Sequence, residues 1–64
     1  MSQDPGAADA PIRVMIVDGD GNARQHLARR CLDAGDFAVV GTAMNGRTAL
    51  AKLPGYRPDV VLVD

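Results

Sequence analysis

The sequence contains one cysteine, one histidine and only 3% aromatic residues. Because Cys31 has no second thiol to pair with, an internal disulfide is excluded, which is consistent with a reducing compartment. The scarcity of aromatic residues and a formal net charge of -1 argue against direct nucleic-acid binding, which needs stacking platforms and a cationic surface. No apolar run approaches the ~20 residues of a membrane span. These absences predict a cytoplasmic protein without direct contact to nucleic acid or membrane.

The first eleven residues, MSQDPGAADAP, are mostly small or polar and include two prolines. A signal peptide would instead begin with cationic residues and continue with an apolar stretch. This composition is typical of a disordered segment at a chain terminus. We therefore predict a disordered leader over residues 1–11 and one small domain over residues 12–64.

Three short apolar runs alternate with two helical patterns in the remaining chain. The predicted strands are Ile12–Val17, Phe37–Ala43 and Val60–Val63, and the predicted helices run from Asn22 to Ala34 and from Asn45 to Pro54-Gly55. Short, nearly all-apolar runs are typical of strands that are covered on both faces. Strands that alternate with helices form right-handed βαβ crossovers. The predicted fold is therefore an α/β parallel sheet.

Local signals at the helix ends support these boundaries. Asp20 and Asn45 stand at the two helix entrances, where a side-chain oxygen commonly accepts a hydrogen bond from a backbone N–H. Gly35 occupies the position of a C-cap glycine, and Pro54-Gly55 is expected to end the second helix. The first helix is expected to place Cys31 on its buried apolar face and to expose its polar residues, which are Arg24, His26, Arg29 and Arg30.

Acidic residues follow two of the three predicted strands: Asp18 and Asp20 come after the first, and Asp64 comes after the third. In sheets of the flavodoxin-like order these two strands are neighbours, and ligands bind beyond their carboxyl ends. Clustered carboxylates repel each other unless a cation intervenes, and oxygen ligands alone suit Mg²⁺. The pattern predicts a Mg²⁺ site at Asp18 and Asp64. Asp20 is either a third ligand or, as we favour, only the cap of the first helix.

The chain from Ile12 to Asp64 resembles the N-terminal half of a two-component response-regulator receiver domain. The resemblance is carried by IRVMIVDGD and by FAVVGTAMNGRTALAKLPGYRPDVVLVD, and it needs no gap. The phrase NGRTALAKLPGYRPDVVLVD is its most specific part. The stretch VVGTAMNGRTALAKLPG is particularly similar to the receivers of chemotaxis protein-glutamate methylesterases.

The resemblance implies a flavodoxin-like sheet that is truncated after its third strand, with the C-terminal output domain missing from this chain. It identifies Asp64 with the phospho-acceptor, which would take a phosphoryl group from a sensor histidine kinase with Mg²⁺ as cofactor. Asp18 matches the first member of the acidic pair of the family. Gly19 stands where the second acid is usual, so Mg²⁺ binding is expected to be weakened.

The resemblance also limits the activity expected of this chain by itself. The hydroxyl residue and the lysine that complete a receiver site come after later strands, which this chain does not reach. The segment is therefore not expected to switch alone, and no residues for ester hydrolysis are recognised in it. The third strand would present an open apolar edge, so the isolated chain is expected to be poorly folded or to associate.

Two other functions remain open. The receivers of DNA-binding transcriptional regulators share much of the same sequence. A phosphatase of the haloacid-dehalogenase type also begins with an apolar strand followed by Asp-x-Asp, in which Asp18 would be the nucleophile and Asp20 the general acid/base. This second alternative leaves Asp64 unexplained. An EF-hand is disfavoured because Ala23 replaces its required glycine, and a dinucleotide fingerprint is disfavoured because Arg24 stands where its third Gly or Ala belongs.

Overall fold

The computed structural model describes residues 10–64, which form three strands and two helices in alternation. The elements are β1 (Ile12–Val17), α1 (Gly21–Ala34), β2 (Phe37–Ala43), α2 (Gly46–Tyr56) and β3 (Val60–Val63). All three predicted strands are confirmed with their predicted bounds. Most of the predicted leader, residues 1–9, lies outside the described residues.

The three strands form one parallel sheet in the order β2-β1-β3. The chain crosses from β1 to β2 through α1, and it returns to the other side of β1 through α2. Strand β1 is therefore central and pairs on both sides, which explains why its run of apolar residues is the most buried. The predicted α/β class and the partial flavodoxin-like order are confirmed.

Helix α1 begins and ends where its capping residues dictate. The Asp20 side chain accepts a hydrogen bond of 2.9 Å from the Asn22 backbone N–H, so the helix begins at Gly21, one residue earlier than predicted. Gly35 ends it with a left-handed φ of 84°, and its N–H donates to the Leu32 carbonyl oxygen at 3.1 Å. A side chain at that φ would be strained, which accounts for the glycine.

Helix α2 begins as predicted, with the Asn45 side chain accepting from the Thr48 backbone N–H at 2.8 Å. The prediction that Pro54-Gly55 ends the helix is wrong, since it continues to Tyr56. The Arg13 guanidinium donates to the carbonyl oxygens of Tyr56, the last helical residue, and of Arg57, which follows the helix. These contacts from β1 stabilise a final turn that a proline alone would disfavour.

The core lies along β1 and against α2. The residues Val14 to Val17 are buried, and Met15 and Val17 cluster with Ala43 and Ala49, against which Leu53 packs. None of the residues of α1 is fully buried. Cys31 is therefore only half-buried, in contrast to the prediction, because a single helix covers that face of the described sheet and its flanks stay open.

The two outer edges of the sheet differ. On β2, Val40 is an extra residue, since the register moves from Val14↔Val39 to Met15↔Gly41, and Lys52 Nζ donates to the Thr42 carbonyl oxygen at 2.9 Å. On β3, all four residues are exposed, and within residues 10–64 neither helix packs against this strand. The predicted open apolar edge is present.

Candidate phospho-acceptor site

Asp18 and Asp64 lie side by side at the carboxyl edge of the sheet. They come directly after Val17 and Val63, which are paired partners on the adjacent parallel strands β1 and β3. The Asp64 backbone N–H donates to the Val17 carbonyl oxygen at 3.1 Å, which extends the ladder to the acid itself. Neighbouring strands are about 4.8 Å apart, so the two carboxylates can reach one ion or one phosphoryl group between them.

Asp18 is held in place from three directions. Its backbone N–H donates to the Ala43 carbonyl oxygen at 3.0 Å, and its Oδ1 accepts from the Asp20 backbone N–H at 2.9 Å. Its own carbonyl oxygen accepts from Arg24 Nη1 at 2.6 Å. The residue is only 8% exposed. Asp18 is thus the most constrained acid of the edge, and contacts within the fold fix its position.

Asp20 has a different role from this constrained acid. It is exposed, and its Oδ1 accepts the hydrogen bond that caps α1. Asp20 therefore caps α1, as predicted. Its alternative, a third metal ligand that compensates for Gly19, stays a prediction.

The environment of Arg24 differs from the one that the sequence predicts. The helical pattern predicts a solvated position for it, but it is half-buried because it folds back over the β1–α1 loop to reach the Asp18 carbonyl oxygen. Arg29, Arg30 and His26 are exposed as predicted. No helical period indicates this contact, because it depends on where β1 ends relative to the first turn of α1.

The donor set at this edge is compatible with Mg²⁺ but does not form a ready-made cage. Among residues 10–64, no three His, Cys, Asp or Glu side chains come close enough together to hold a metal ion. Mg²⁺ usually keeps several waters and takes only one or two carboxylates. Asp18 and Asp64 can supply these, whereas Gly19 contributes no side-chain ligand. The oxygen donors of these residues fit a largely hydrated Mg²⁺.

None of the helices in the described part of the chain is long and apolar enough to cross a membrane. No protein-family model matches the sequence.

Similar proteins are found among protein-glutamate methylesterases/protein-glutamine glutaminases. A Bacillus licheniformis protein of this name is 40% identical over 53 residues, and one from a Nocardioides species is 43% identical over 53 residues; both matches cover 83% of this chain. A third, from Paramagnetospirillum magneticum, is 42% identical over 57 residues, or 89% of this chain. The matches span only 15%, 14% and 16% of those relatives, respectively.

The identity of about 40% over 83% of the chain shows that it belongs to the receiver domains of two-component regulators, and its parallel βαβαβ unit is consistent with that class. Within that class, the chain is related to the receivers of the protein-glutamate methylesterases, at about 40% identity.

Proposed function

We infer that this chain is the phospho-acceptor part of a two-component receiver and that Asp64 accepts the phosphoryl group. The observation that carries this inference is the register of β1 and β3, which brings Asp64 next to the constrained Asp18 at the carboxyl edge of the sheet. Ligands of flavodoxin-like sheets bind at this edge. The identity to methylesterases supports the same assignment.

In the proposed reaction, a carboxylate oxygen of Asp64 attacks the phosphorus of a phosphohistidine on a sensor kinase. The new O–P bond gives an acyl phosphate, the N–P bond breaks, and the released imidazole takes up a proton. Bound Mg²⁺ would neutralise the charge on the phosphoryl oxygens. Asp18, fixed by its backbone and side-chain contacts, would hold that ion beside Asp64.

The role of the whole protein is suggested by the names of its relatives. A longer protein that contains this segment would be a cytoplasmic chemotaxis protein-glutamate methylesterase, in which the receiver regulates a C-terminal hydrolase domain. A receiver that regulates a DNA-binding domain is the second candidate of the same class. Both share the phosphoryl chemistry of Asp64 and differ in the output domain that the receiver controls.

The proposal is tested by exposing the full chain to acetyl phosphate and Mg²⁺ and following its intact mass. We expect the mass of one phosphoryl group to be added through a bond that hydroxylamine cleaves, as it cleaves acyl phosphates. Asp64→Asn should abolish the addition. Asp18→Asn should reduce it by roughly tenfold, because it removes one charged ligand of the ion.

The matched control is Asp33→Asn, which neutralises an exposed acid on α1 and should leave phosphorylation unchanged. Peptide mapping distinguishes the phosphatase alternative, which places the phosphoryl group on Asp18. Full modification of the Asp64→Asn variant would show that Asp64 is not the acceptor.

A further inference from the structure

A cavity with two cationic side chains lies on the opposite side of β1 from Asp64, at the outer edge of β2. Its volume is about 280 Å³, and it opens between the first turns of α1 and the middle of α2. Four half-buried polar residues line it, together with Ala43 and Met44: Arg24, Thr42, Thr48 and Lys52. No acidic residue is among its lining in the described part of the chain.

The two cations of this cavity are each held by a backbone carbonyl oxygen. Arg24 Nη1 donates to the Asp18 carbonyl oxygen, and Lys52 Nζ donates to the Thr42 carbonyl oxygen. Both acceptors are neutral backbone groups, so these contacts fix the positions of the cations without neutralising them. A guanidinium has five donor N–H groups and an ammonium has three, so each retains donors for another acceptor. Two half-buried positive charges therefore line one small cavity.

A larger cavity of about 440 Å³ adjoins the first, because Arg24 and Thr42 line both. The rest of its lining is neutral: Gly21, Asn22, Gln25 and Ala28. A ligand that places an anionic group between the cations can therefore extend a neutral, hydrogen-bonding portion along α1.

We propose that Arg24, Lys52, Thr42 and Thr48 form an anion-binding crevice for a phosphate group, either inorganic phosphate or the phosphate of a small monoester. Arginine and lysine make charge-assisted hydrogen bonds to phosphate oxygens, and the threonine hydroxyls donate to the same oxygens. In a monoester, the organic part lies in the adjoining cavity. This site is separate from the carboxyl group of Asp64, and it does not require that Asp64 be phosphorylated.

The test is a titration of the ¹⁵N-labelled full chain with inorganic phosphate and, separately, with glycerol phosphate, at constant ionic strength set with chloride. We expect saturable shifts of the Thr42 and Thr48 amides and of the Arg24 Nε–H. Lys52→Gln should weaken binding about tenfold, since a charged donor is lost. Glutamine still donates a hydrogen bond, so the contact to Thr42 can persist.

The matched control is Arg30→Gln, which removes an exposed cation of α1 that lines neither cavity and should leave the affinity unchanged. Arg24→Lys provides a second variant that retains the charge and should bind within a few-fold of the unaltered chain. Equal weakening by Arg30→Gln and Lys52→Gln would reduce the effect to net charge and overturn the site. Absence of saturable shifts with both phosphate compounds would overturn it as well. Tighter binding of glycerol phosphate identifies a monoester as the occupant, tighter binding of inorganic phosphate identifies the free ion, and equal binding shows that the crevice recognises the phosphate group alone.

Discussion

At the scale of single residues, variants of Asp20 can distinguish a helix cap from a ligand of Mg²⁺. Asp20→Ala removes the acceptor of the Asn22 N–H and should lower the free energy of unfolding by about 1 kcal/mol. Asp20→Asn keeps an equally good cap and removes the charge. If Asp20 is only a cap, Asn at this position leaves both stability and Mg²⁺ affinity unchanged. Urea denaturation and calorimetric titration with Mg²⁺ measure the two quantities, and a loss of Mg²⁺ affinity in Asp20→Asn would establish the residue as a ligand.

The sequence predicts the contacts of single residues only when those contacts are local. The caps formed by Asp20, Asn45 and Gly35 are predictable because each contact lies within three residues along the chain. The contact of Arg24 with the Asp18 carbonyl is not, although the two residues are only six positions apart. It requires the helix to start directly over the strand end, which a helical period does not encode.

At the scale of elements, the packing of α2 on β2 depends on a glycine. A Cβ at Gly41 would come within 2.8 Å of Tyr56 Cδ2, closer than carbon atoms pack. Gly41→Ala should therefore displace the Tyr56 ring and lower the free energy of unfolding by about 1–3 kcal/mol. Gly55→Ala is the matched control, because a Cβ there meets nothing within 4 Å and alanine favours the helix. Thermal denaturation of both variants checks this prediction. Equal melting temperatures would mean that the close approach of Gly41 to Tyr56 does not contribute to stability.

The element boundaries are predictable from the sequence to within one residue, except at the end of α2. Proline and glycine together indicate a helix end, and Pro54-Gly55 predicts one in this way. The end of the helix is also contacted by Arg13, more than 40 positions earlier, whose guanidinium donates to the carbonyl oxygens of Tyr56 and Arg57. The parallel sheet is predictable from the alternation of apolar runs and helices, whereas the order β2-β1-β3 follows from the resemblance to flavodoxin-like receivers.

At the scale of the whole molecule, the exposed residues of β3 should govern how the chain associates. Val63 is 69% exposed on the open edge of the described sheet, and Leu50 is 70% exposed on α2. Val63→Lys should reduce association, because a charged side chain on an edge strand opposes pairing with another strand. Leu50→Lys removes a similar apolar exposure away from the edge and should have little effect. Sedimentation velocity over a range of concentrations compares the two, and equal reductions would attribute association to general hydrophobicity.

The unequal margins of the sheet also determine how far such association can proceed. Along β2, the additional Val40 and the ammonium of Lys52 occupy positions that an incoming strand would need. A further strand can therefore add to the described sheet only next to β3. If two copies join through β3 about a twofold axis, both obstructed margins face outward, and the product is a closed pair rather than a fibre.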